Sequence, residues 1–443
     1  MKQKRGSILM FSLVFGAIAS LILITGVGSY ALFENKASNK KLDRDLAFHI
    51  AEAGISYYRW HLAHNQTDYT DGTNQAGPYV HEYNDMNGNL IGYFSLAITP
   101  PLSGSTVVAV ESTGWALTSP NSKRKIRVRL GAPSVTNYTF LSHAGLSFSF
   151  TSVVHGQVHA NGEIRFDGES DSWVKSGIRV QGGGHPKSFW VYPVPTIDFY
   201  SVTSDLGKIK TLADNGGIHL TSSGKEGYQM VFNGSSFALY KVNTKDCYPG
   251  EGRWRKRWGD WYWDGTTYCF DVATRSFIAN YNIPANGAIF VEDNVWVEGT
   301  VDGRVTLAVG KFPVQAPYKN IIINNNLRYT AQGGDDVIGL MCQGDIVVPY
   351  EVPGTMYIDA ALLSQFGKNY RPYYNENLKT SLTINGSQMA YEGGGWKYVN
   401  GYGNVISGFV NTYHNYDGNL RYYPPPGFPV GTTYELISWE EVE

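Results

Sequence analysis

The chain has 443 residues, and its 36 basic and 38 acidic side chains give a formal net charge of −2, so there is no electrostatic reason to expect nucleic acid as a partner. This length exceeds a typical domain of about 100–200 residues, so we expect more than one domain. The 50 glycines, 31 tyrosines, 20 phenylalanines and 11 tryptophans exclude intrinsic disorder and favour strands and tight turns over a mainly helical fold.

An uncharged block follows the basic residues Lys2, Lys4 and Arg5. Residues 7–32 carry no charge over 26 positions. A helix of that length spans about 39 Å, enough to cross a hydrocarbon core of about 30 Å. The basic residues predict a single-pass membrane protein with its N-terminus on the cytoplasmic side and its bulk outside. A removable signal peptide is the alternative, although its apolar core is usually only about 7–15 residues long.

An amphipathic helix is predicted to continue from this block through residues 33–64, which lack proline. A signal peptide would not need this continuation. Gly26 and Gly28 lie inside the combined helix of residues 7–64, and because each glycine costs about 1 kcal/mol we expect local unwinding there. Apolar residues recur at three- and four-residue steps, as on one helix face: Leu42, Leu46, Ile50, Ala53, Tyr57 and Trp60.

A short basic leader that ends at Gly6 precedes the uncharged helix, and LAFHIAEAGISYYRW follows it at 46–60. This arrangement resembles type IV pilin-like proteins, most closely the PilX-type minor pilins, over about residues 1–131. The resemblance implies that prepilin peptidase cuts between Gly6 and Ser7 and that the new terminus is N-methylated. It also implies that the subunit leaves the membrane for an extracellular filament, where its helix packs against other pilins.

One position departs from the family pattern. Ordinary pilins carry a glutamate five residues after the cut, where this chain has Phe11. In the family, that carboxylate neutralises the N-terminal ammonium of a neighbouring subunit in apolar surroundings, where an unpaired charge is costly. The departure disfavours a major structural subunit and fits a minor subunit at the tip or in the initiating complex. The resemblance places Phe11, Gly26 and Gly28 in the filament core.

A small antiparallel sheet is predicted after the helix, over residues 65–131. It begins with a polar connector rich in turn signals, which we interpret as a turn rather than a calcium loop because the distal glutamate is missing. In RKIRVRL at 124–130, alternation predicts that Ile126, Val128 and Leu130 face inward. The basic outward face does not recur, so we interpret it as solvated rather than as a nucleic-acid site.

Residues 140–443 are too many for a pilin head and contain many short strands separated by Gly/Asn turns. Apolar residues alternate through 287–310, with turns between short runs, which predicts a parallel β-helix. No fixed repeat period is present, so a β-sandwich remains the alternative. We therefore predict α+β followed by all-β. The expected divisions are a leader at 1–6, a helix at 7–64, the small sheet, and a β-rich head with an insertion at 204–281.

The insertion contains CYPGEGRWRKRWGDWYWDGTTYC, bounded by Cys247 and Cys269. In an exported protein these cysteines can form a disulfide worth about 3 kcal/mol in the loop-entropy model, which leaves Cys342 as a buried thiol. Four tryptophans lie among basic residues of this loop: Trp254, Trp258, Trp261 and Trp263. They predict either a platform for sugars, such as a surface glycan, or for anionic polymers, or a hairpin whose tryptophans pack on the main body.

Enzyme signatures are absent: the sequence has no G-x-S-x-G, no P-loop and no H-E-x-x-H. His155 and His159 lie four residues apart without a third ligand, so we predict no metal site and no cofactor. Acidic clusters lie beside glycine or asparagine, where roles in turns suffice: Asp167, Glu169 and Asp171; Glu292 and Asp293; Asp335 and Asp336.

Two classes of function follow from these features. The first is a minor pilin or pseudopilin, a structural and adhesive subunit without catalytic residues. The second is a membrane-tethered surface protein that binds or degrades polysaccharide with a β-helical domain. If it degrades polysaccharide as a glycosidase, it needs a pair of carboxylates.

Overall fold

The structure is a computed structural model that describes residues 6–199, 205–257, 260–431 and 433–442. The chain forms two compact units, each of which consists of more than one segment. The first unit comprises Met1–Pro101, Val107–Gly131 and Thr432–Glu443, and the second comprises Leu102–Thr106 and Ala132–Gly431.

The described residues contain two α-helices, α1 (Gly6–His64) and α2 (Asp205–Asp214), and 3-10 turns at Val135–Asn137, Lys187–Phe189 and Gly418–Arg421. The strands found among these residues are, in chain order, β1 (Tyr79–Asn84), β2 (Leu90–Thr99), β3 (Val107–Ala116), β4 (Arg124–Gly131), β5 (Phe140–Ser142), β6 (Leu146–Phe148), β7 (Ser152–His155), β8 (Val158–Ala160), β9 (Ile164–Phe166), β10 (Glu169–Ser170), β11 (Val174–Ser176), β12 (Val180–Gln181), β13 (Trp190–Val191), β14 (Ile218–Leu220), β15 (Gly227–Gly234), β16 (Ser236–Arg257), β17 (Asp260–Asn282), β18 (Ala288–Val291), β19 (Val295–Val301), β20 (Arg304–Val309), β21 (Ile321–Tyr329), β22 (Val337–Cys342), β23 (Ile346–Val347), β24 (Thr355–Ser364), β25 (Asn369–Tyr370), β26 (Leu378–Ala390), β27 (Gly394–Gly395), β28 (Lys397–Val399), β29 (Val405–Asn415) and β30 (Glu435–Val442).

Helix α1 is a single uninterrupted helix of 59 residues. The expectation of local unwinding at Gly26 and Gly28 is therefore wrong. Each glycine costs about 1 kcal/mol, and the flanking Thr25, Val27 and Ser29 are not strong helix formers, but the cooperative backbone ladder of a long helix continues through both positions. By length and composition α1 is a candidate membrane span, and its most apolar window has no surface buried by other described residues.

The second half of α1 packs on a sheet through a face that differs in phase from the predicted one. Ile50 is fully buried as predicted, but Leu42 and Trp60 are 67% and 59% exposed. At Ala47 and Ala51 small side chains face the sheet, because the helix backbone comes close to it there. The fully buried face consists of Ala47, Ile50, Ala51, Tyr58 and Leu62.

This close approach depends on Gly114 in β3. A Cβ atom at Gly114 would lie 2.3 Å from the carbonyl oxygen of Ala47 and 2.5 Å from the amide nitrogen of Ala51. Both distances are well below van der Waals contact, and both atoms belong to the helix backbone, which cannot rotate away. Only glycine therefore allows the observed packing of helix against strand at this point.

The described strands of the first unit form an antiparallel sheet in the order β1-β2-β3-β4-β30. Ile126, Val128 and Leu130 of β4 are fully buried, which confirms the predicted alternation in RKIRVRL. On the opposite face, Arg127 forms ion pairs with Glu111 at 2.6 Å and with Glu440 at 3.3 Å. Glutamates on neighbouring strands thus neutralise this basic residue.

The last strand, β30, pairs with β4 in antiparallel register from Glu435–Gly131 to Val442–Lys125. The sequence analysis placed these residues with the β-rich head and did not anticipate the pairing. The chain therefore leaves the first unit after β4 and returns to its sheet beside β4, so that the second unit is inserted between two adjacent strands.

The second unit is mostly β, and its described strands form one large mixed sheet together with a small parallel sheet of β6, β9 and β12. Parallel pairing dominates. The longest parallel ladder has the order β14-β18-β20-β22-β24-β26-β5-β8-β11-β13. A second ladder has the order β15-β19-β21-β24-β26-β29-β7-β10. The first strand of the longest ladder in the sequence, β5, lies inside the ladder, and the chain runs from there to one end at β13. The next strand, β14, then starts the ladder from its opposite end.

Residues of the same type line up along these ladders. Ile289, Leu307, Leu340 and Leu362 pair in register on successive strands, and all four are fully buried. A polar column lies elsewhere in the unit. The side-chain amide of Asn415 donates to Asn385 Oδ1 at 2.7 Å, and that of Asn385 donates to Asp359 Oδ1 at 2.6 Å. Aligned columns of this kind let each strand bury its side chains on the next one.

Replacing Gly114 with alanine should destabilise the first unit by about 1–3 kcal/mol, because the new Cβ overlaps the backbone of α1. Thermal unfolding of the full chain in detergent micelles measures the effect as a lower Tm for this unit. Gly28→Ala is the matched control, since a Cβ there meets no atom within 4 Å. The control should unfold at the same temperature or slightly higher. Equal Tm values for Gly114→Ala and the unaltered chain would contradict the proposed packing.

Candidate functional site

The first half of α1 presents a long apolar surface that no other described residue covers. A soluble surface rarely exposes so much contiguous apolar area, so this segment requires hydrocarbon or other apolar helices around it. Phe11 lies on this surface. The following side chains are each at least 64% exposed: Ile8, Leu9, Met10, Phe11, Leu13, Phe15, Leu21, Ile22, Leu23, Ile24, Val27, Tyr30, Leu32 and Phe33.

Two hydroxyl groups of this segment form hydrogen bonds within the helix itself. Ser12 Oγ donates to the carbonyl oxygen of Leu9 at 3.0 Å, and Thr25 Oγ1 donates to that of Leu21 at 2.7 Å. In hydrocarbon an unpaired polar group costs several kcal/mol, and these bonds remove that cost. The segment is therefore chemically suited to an environment without water.

The sequence-predicted processing and filament residues all lie along this one helix. Gly6 and Ser7 are the first residues of α1, and the rest of the expected leader, residues 1–5, lies outside the described residues. Gly26 and Gly28 sit in the apolar half, where a Cβ would meet no atom within 4 Å. They leave shallow notches on the helix surface, where a second helix can approach closely.

A second candidate surface is the long antiparallel hairpin of β16 and β17. Cys247 and Cys269 are joined by a disulfide across it, with their Cα atoms 4.0 Å apart. Next to this bond the hairpin contacts its own unit, where the Tyr248 ring stacks on Tyr350 at 4.0 Å. The buried Asp271 carboxylate accepts a hydrogen bond from the Tyr350 amide at 3.2 Å, and burial raises its pKa.

Nearer the tip, over residues 251–257 and 261–267, most side chains of the hairpin are exposed. Trp254 and Trp261 are 57% and 65% exposed, so these two do not pack on the body of the unit. Trp263 lies edge-on to Trp254 at 5.5 Å, and the Lys256 ammonium lies 5.9 Å from the Trp261 ring centre. Trp258 lies outside the described residues. The tip thus offers aromatic faces beside basic side chains.

The acidic clusters that the sequence analysis singled out hold turns together. His155 pairs with Asp171 at 2.7 Å, and the buried His159 lies 3.1 Å from the Asn161 side chain. Among the described residues, no group of three or more His, Cys, Asp or Glu side chains is arranged to hold a metal. Carboxylates of all three clusters accept backbone N–H bonds: Asp167 from Gly183 at 2.7 Å, Asp171 from Gly156 at 2.9 Å, Asp293 from Ser223 at 3.0 Å and Asp336 from Gly303 at 2.7 Å.

Cys342 is a free cysteine and is fully buried in β22. Burial raises the pKa of its thiol to about 12, so the reactive thiolate is scarce at neutral pH. The residue fills core space and is not a candidate nucleophile.

The second unit contains a cavity of about 970 Å³ that could not be predicted from the sequence. Its walls come from separate stretches of chain, around residues 140–152, 165–183, 368–403 and 412–414. Parallel pairing of β5, β26 and β29 brings them together. No local motif marks these residues, because the cavity exists only once strands distant in sequence become neighbours.

No family model matches the chain, and no curated protein matches it. Among solved structures, the crystal structure of competence-associated pilin ComZ from Thermus thermophilus is similar with a TM-score of 0.31 and 12% sequence identity. That similarity covers 90% of this chain and 98% of the other.

Replacing both Cys247 and Cys269 with serine should loosen the hairpin tip, since the bond is worth about 3 kcal/mol in the loop-entropy model. Trypsin should then cut after Arg253 and Arg255 faster than in the unaltered chain, as measured by mass spectrometry of the fragments over time. Cys342→Ala is the control and should leave the rate of cleavage at the tip unchanged. An unchanged rate in the double serine variant would mean that the disulfide does not hold the tip.

Proposed function

We propose that the chain is a type IV pilin-like structural subunit, held in the cytoplasmic membrane by α1 and later assembled into an extracellular filament through the same helix. One observation carries this proposal: the first half of α1 is apolar and uncovered, while its second half is packed on an antiparallel sheet. The exposed half anchors the subunit, and the packed half fixes it rigidly to a folded unit outside the membrane.

A membrane and a filament core both require the surface of this helix to be apolar. Burial of apolar area contributes about 25 cal/mol per Å², whether lipid tails or neighbouring helices cover it. Transfer between the two environments is therefore close to balanced, and packing between helices decides the direction. The absence of charge over residues 7–32 is compatible with both environments.

We infer that the subunit is a minor one, at the tip of the filament or in its initiating complex. Phe11 is 64% exposed and has no carboxylate with which to neutralise another subunit's N-terminal ammonium. Inside a filament, a subunit with phenylalanine at this position would leave the N-terminal ammonium of its neighbour unpaired. At the leading end no subunit lies ahead, so no charge needs pairing. The relationship to the PilX-type proteins remains a resemblance of the N-terminal sequence.

We also propose that the second unit is a β-helix-like stack. Its long parallel ladders and its aligned apolar and asparagine columns support this interpretation. A β-sandwich is built from two antiparallel sheets, whereas most strand pairs here are parallel. On this view the stack is a head that presents the exposed hairpin tip to a surface glycan, which makes the subunit adhesive and gives it no catalytic role.

A second candidate function is that of a membrane-tethered protein that binds surface polysaccharide without joining a filament. The cavity of the second unit favours it, because its lining combines aromatic rings and polar groups. Polysaccharide cleavage has less support, since Asp167 is the sole carboxylate among the described lining residues and it pairs with Arg165 at 2.9 Å. A glycosidase needs two carboxylates.

Incubation of the full chain in membranes with prepilin peptidase should remove residues 1–6 and leave Ser7 as the new N-terminus, methylated where the enzyme has its methyl donor. Intact-mass and N-terminal peptide mass spectrometry measure this directly. Gly6→Val should block the cut, and Gly16→Ala, in the same apolar segment, should not. An intact leader, or a cut near Ala31, would contradict a pilin-like subunit.

Trp261→Ala should weaken attachment of the full chain to glycan-coated surfaces by about threefold or more, because one exposed stacking or cation–π contact is worth about 0.5–2 kcal/mol. Surface plasmon resonance on immobilised acidic and neutral glycans measures it. Trp173, which is 45% exposed and lies outside the hairpin, provides the matched control Trp173→Ala. If both variants attach equally well, the hairpin tip is not the surface that contacts the glycan.

A further inference from the structure

The cavity of the second unit contains an ammonium group, that of Lys397, which pairs with no charged side chain among the described residues. Lys397 Nζ donates to Thr151 Oγ1 at 2.6 Å and to the carbonyl oxygen of Val410 at 3.3 Å, and both acceptors are neutral. Burial lowers the pKa of Lys397 to about 8, so the group still carries its charge at neutral pH. A half-buried cation beside an open cavity is the arrangement that an incoming anion stabilises.

The other charges on the cavity wall do not neutralise Lys397. Arg165 is paired with Asp167 at 2.9 Å, and the Asp167 carboxylate also accepts the Gly183 N–H at 2.7 Å. Lys368 is a second cation, and its Nζ lies 4.6 Å from the Tyr370 ring centre. Among the described lining residues the wall therefore keeps an excess of positive charge.

A chain of buried polar side chains forms another part of the wall. Trp396 Nε1 donates to Gln388 Oε1 at 2.9 Å, and Gln388 Nε2 donates to His414 Nδ1 at 3.0 Å. All three residues are buried, with exposed fractions of 4% for Trp396, 3% for Gln388 and 2% for His414. Burial, and secondarily the Lys397 charge, lower the pKa of His414 to about 3, so its ring is neutral.

This chain of bonds fixes the tautomer of His414. Since Nδ1 accepts from Gln388, the proton of the neutral ring sits on Nε2. No described residue accepts a hydrogen bond from that Nε2. His414 lines the cavity, so this N–H is available to an acceptor on a bound molecule or on water.

Aromatic side chains line the open part of the cavity. Tyr402 is 94% exposed, and Phe150 is 59% exposed. The turn that carries Tyr402 is ordered by Asn400, whose Oδ1 accepts the Tyr402 and Asn404 amides, each at 3.0 Å. A large exposed tyrosine on a turn held in place by its own hydrogen bonds offers a flat face to a ligand at low entropic cost.

We propose that this cavity binds an acidic sugar residue of a glycan. The sugar carboxylate meets the unpaired ammonium of Lys397, a ring hydroxyl accepts from His414, and the apolar face of the sugar ring lies against Tyr402. A volume of about 970 Å³ holds more than one sugar residue, so the ligand is a short segment of chain. The site lies outside the hairpin and does not depend on assembly into a filament.

Isothermal titration of the full chain in detergent micelles with trigalacturonic acid, and with the uncharged galactose trisaccharide of equal length, tests the proposal. The acidic trisaccharide should bind saturably, and the neutral one about tenfold more weakly or worse. Lys397→Met should weaken binding of the acid about tenfold. Lys225→Met, at an exposed lysine outside the cavity, should leave it unchanged.

Tyr402→Ala provides a variant whose folding is not at risk, because the side chain is 94% exposed. It should weaken binding of both trisaccharides several-fold while the thermal unfolding of the chain stays unchanged. Equal affinity for the two trisaccharides would overturn the proposal, as would acid binding that neither Lys397→Met nor Tyr402→Ala weakens. Tighter binding of triglutamate than of trigalacturonic acid would show that the cavity selects an acidic peptide instead.

Discussion

The apolar surface of the first half of α1 must be kept from water, and the rest of the structure is arranged around that requirement. No other described residue of the chain covers this surface. Two of its hydroxyl groups, those of Ser12 and Thr25, already bond to backbone carbonyls within the helix, which lowers the cost of transfer into hydrocarbon or into a bundle of helices. A helix of this kind can change its surroundings without changing its fold, as a subunit that moves from membrane to filament must.

The small sheet connects the long helix α1 to the large second unit. The second half of α1 rests on β3 at Gly114, and β4 and β30 continue the same sheet. The second unit is inserted between β4 and β30, and its two ends meet at the bridge between Ser134 and Val430. Insertions whose ends lie close together disturb their host least. A large head can therefore be carried without rebuilding the helix or its sheet.

Local features of the fold could be predicted from the sequence, and long-range ones could not. Local periodicity identified the alternation of Ile126 and Val128. Periodicity did not predict which residues of α1 face the sheet. The helix approaches the sheet closely at Gly114, so the small Ala47 and Ala51 are buried there and the larger Leu42 is exposed. The pairing of β30 with β4, the order of strands in the ladders and the cavity around Lys397 all depend on contacts between distant segments. No pattern within one segment records such contacts.

The most direct measurement is the partition of the full chain between membranes and filaments sheared from the cell surface, followed by mass spectrometry of its N-terminus in each fraction. If α1 becomes part of a filament core, chain that begins at Ser7 will be found in the sheared filaments in amounts far below the main subunit. Chain confined to the membrane fraction with residues 1–6 intact, or released without residues 7–32, would contradict the pilin-like account.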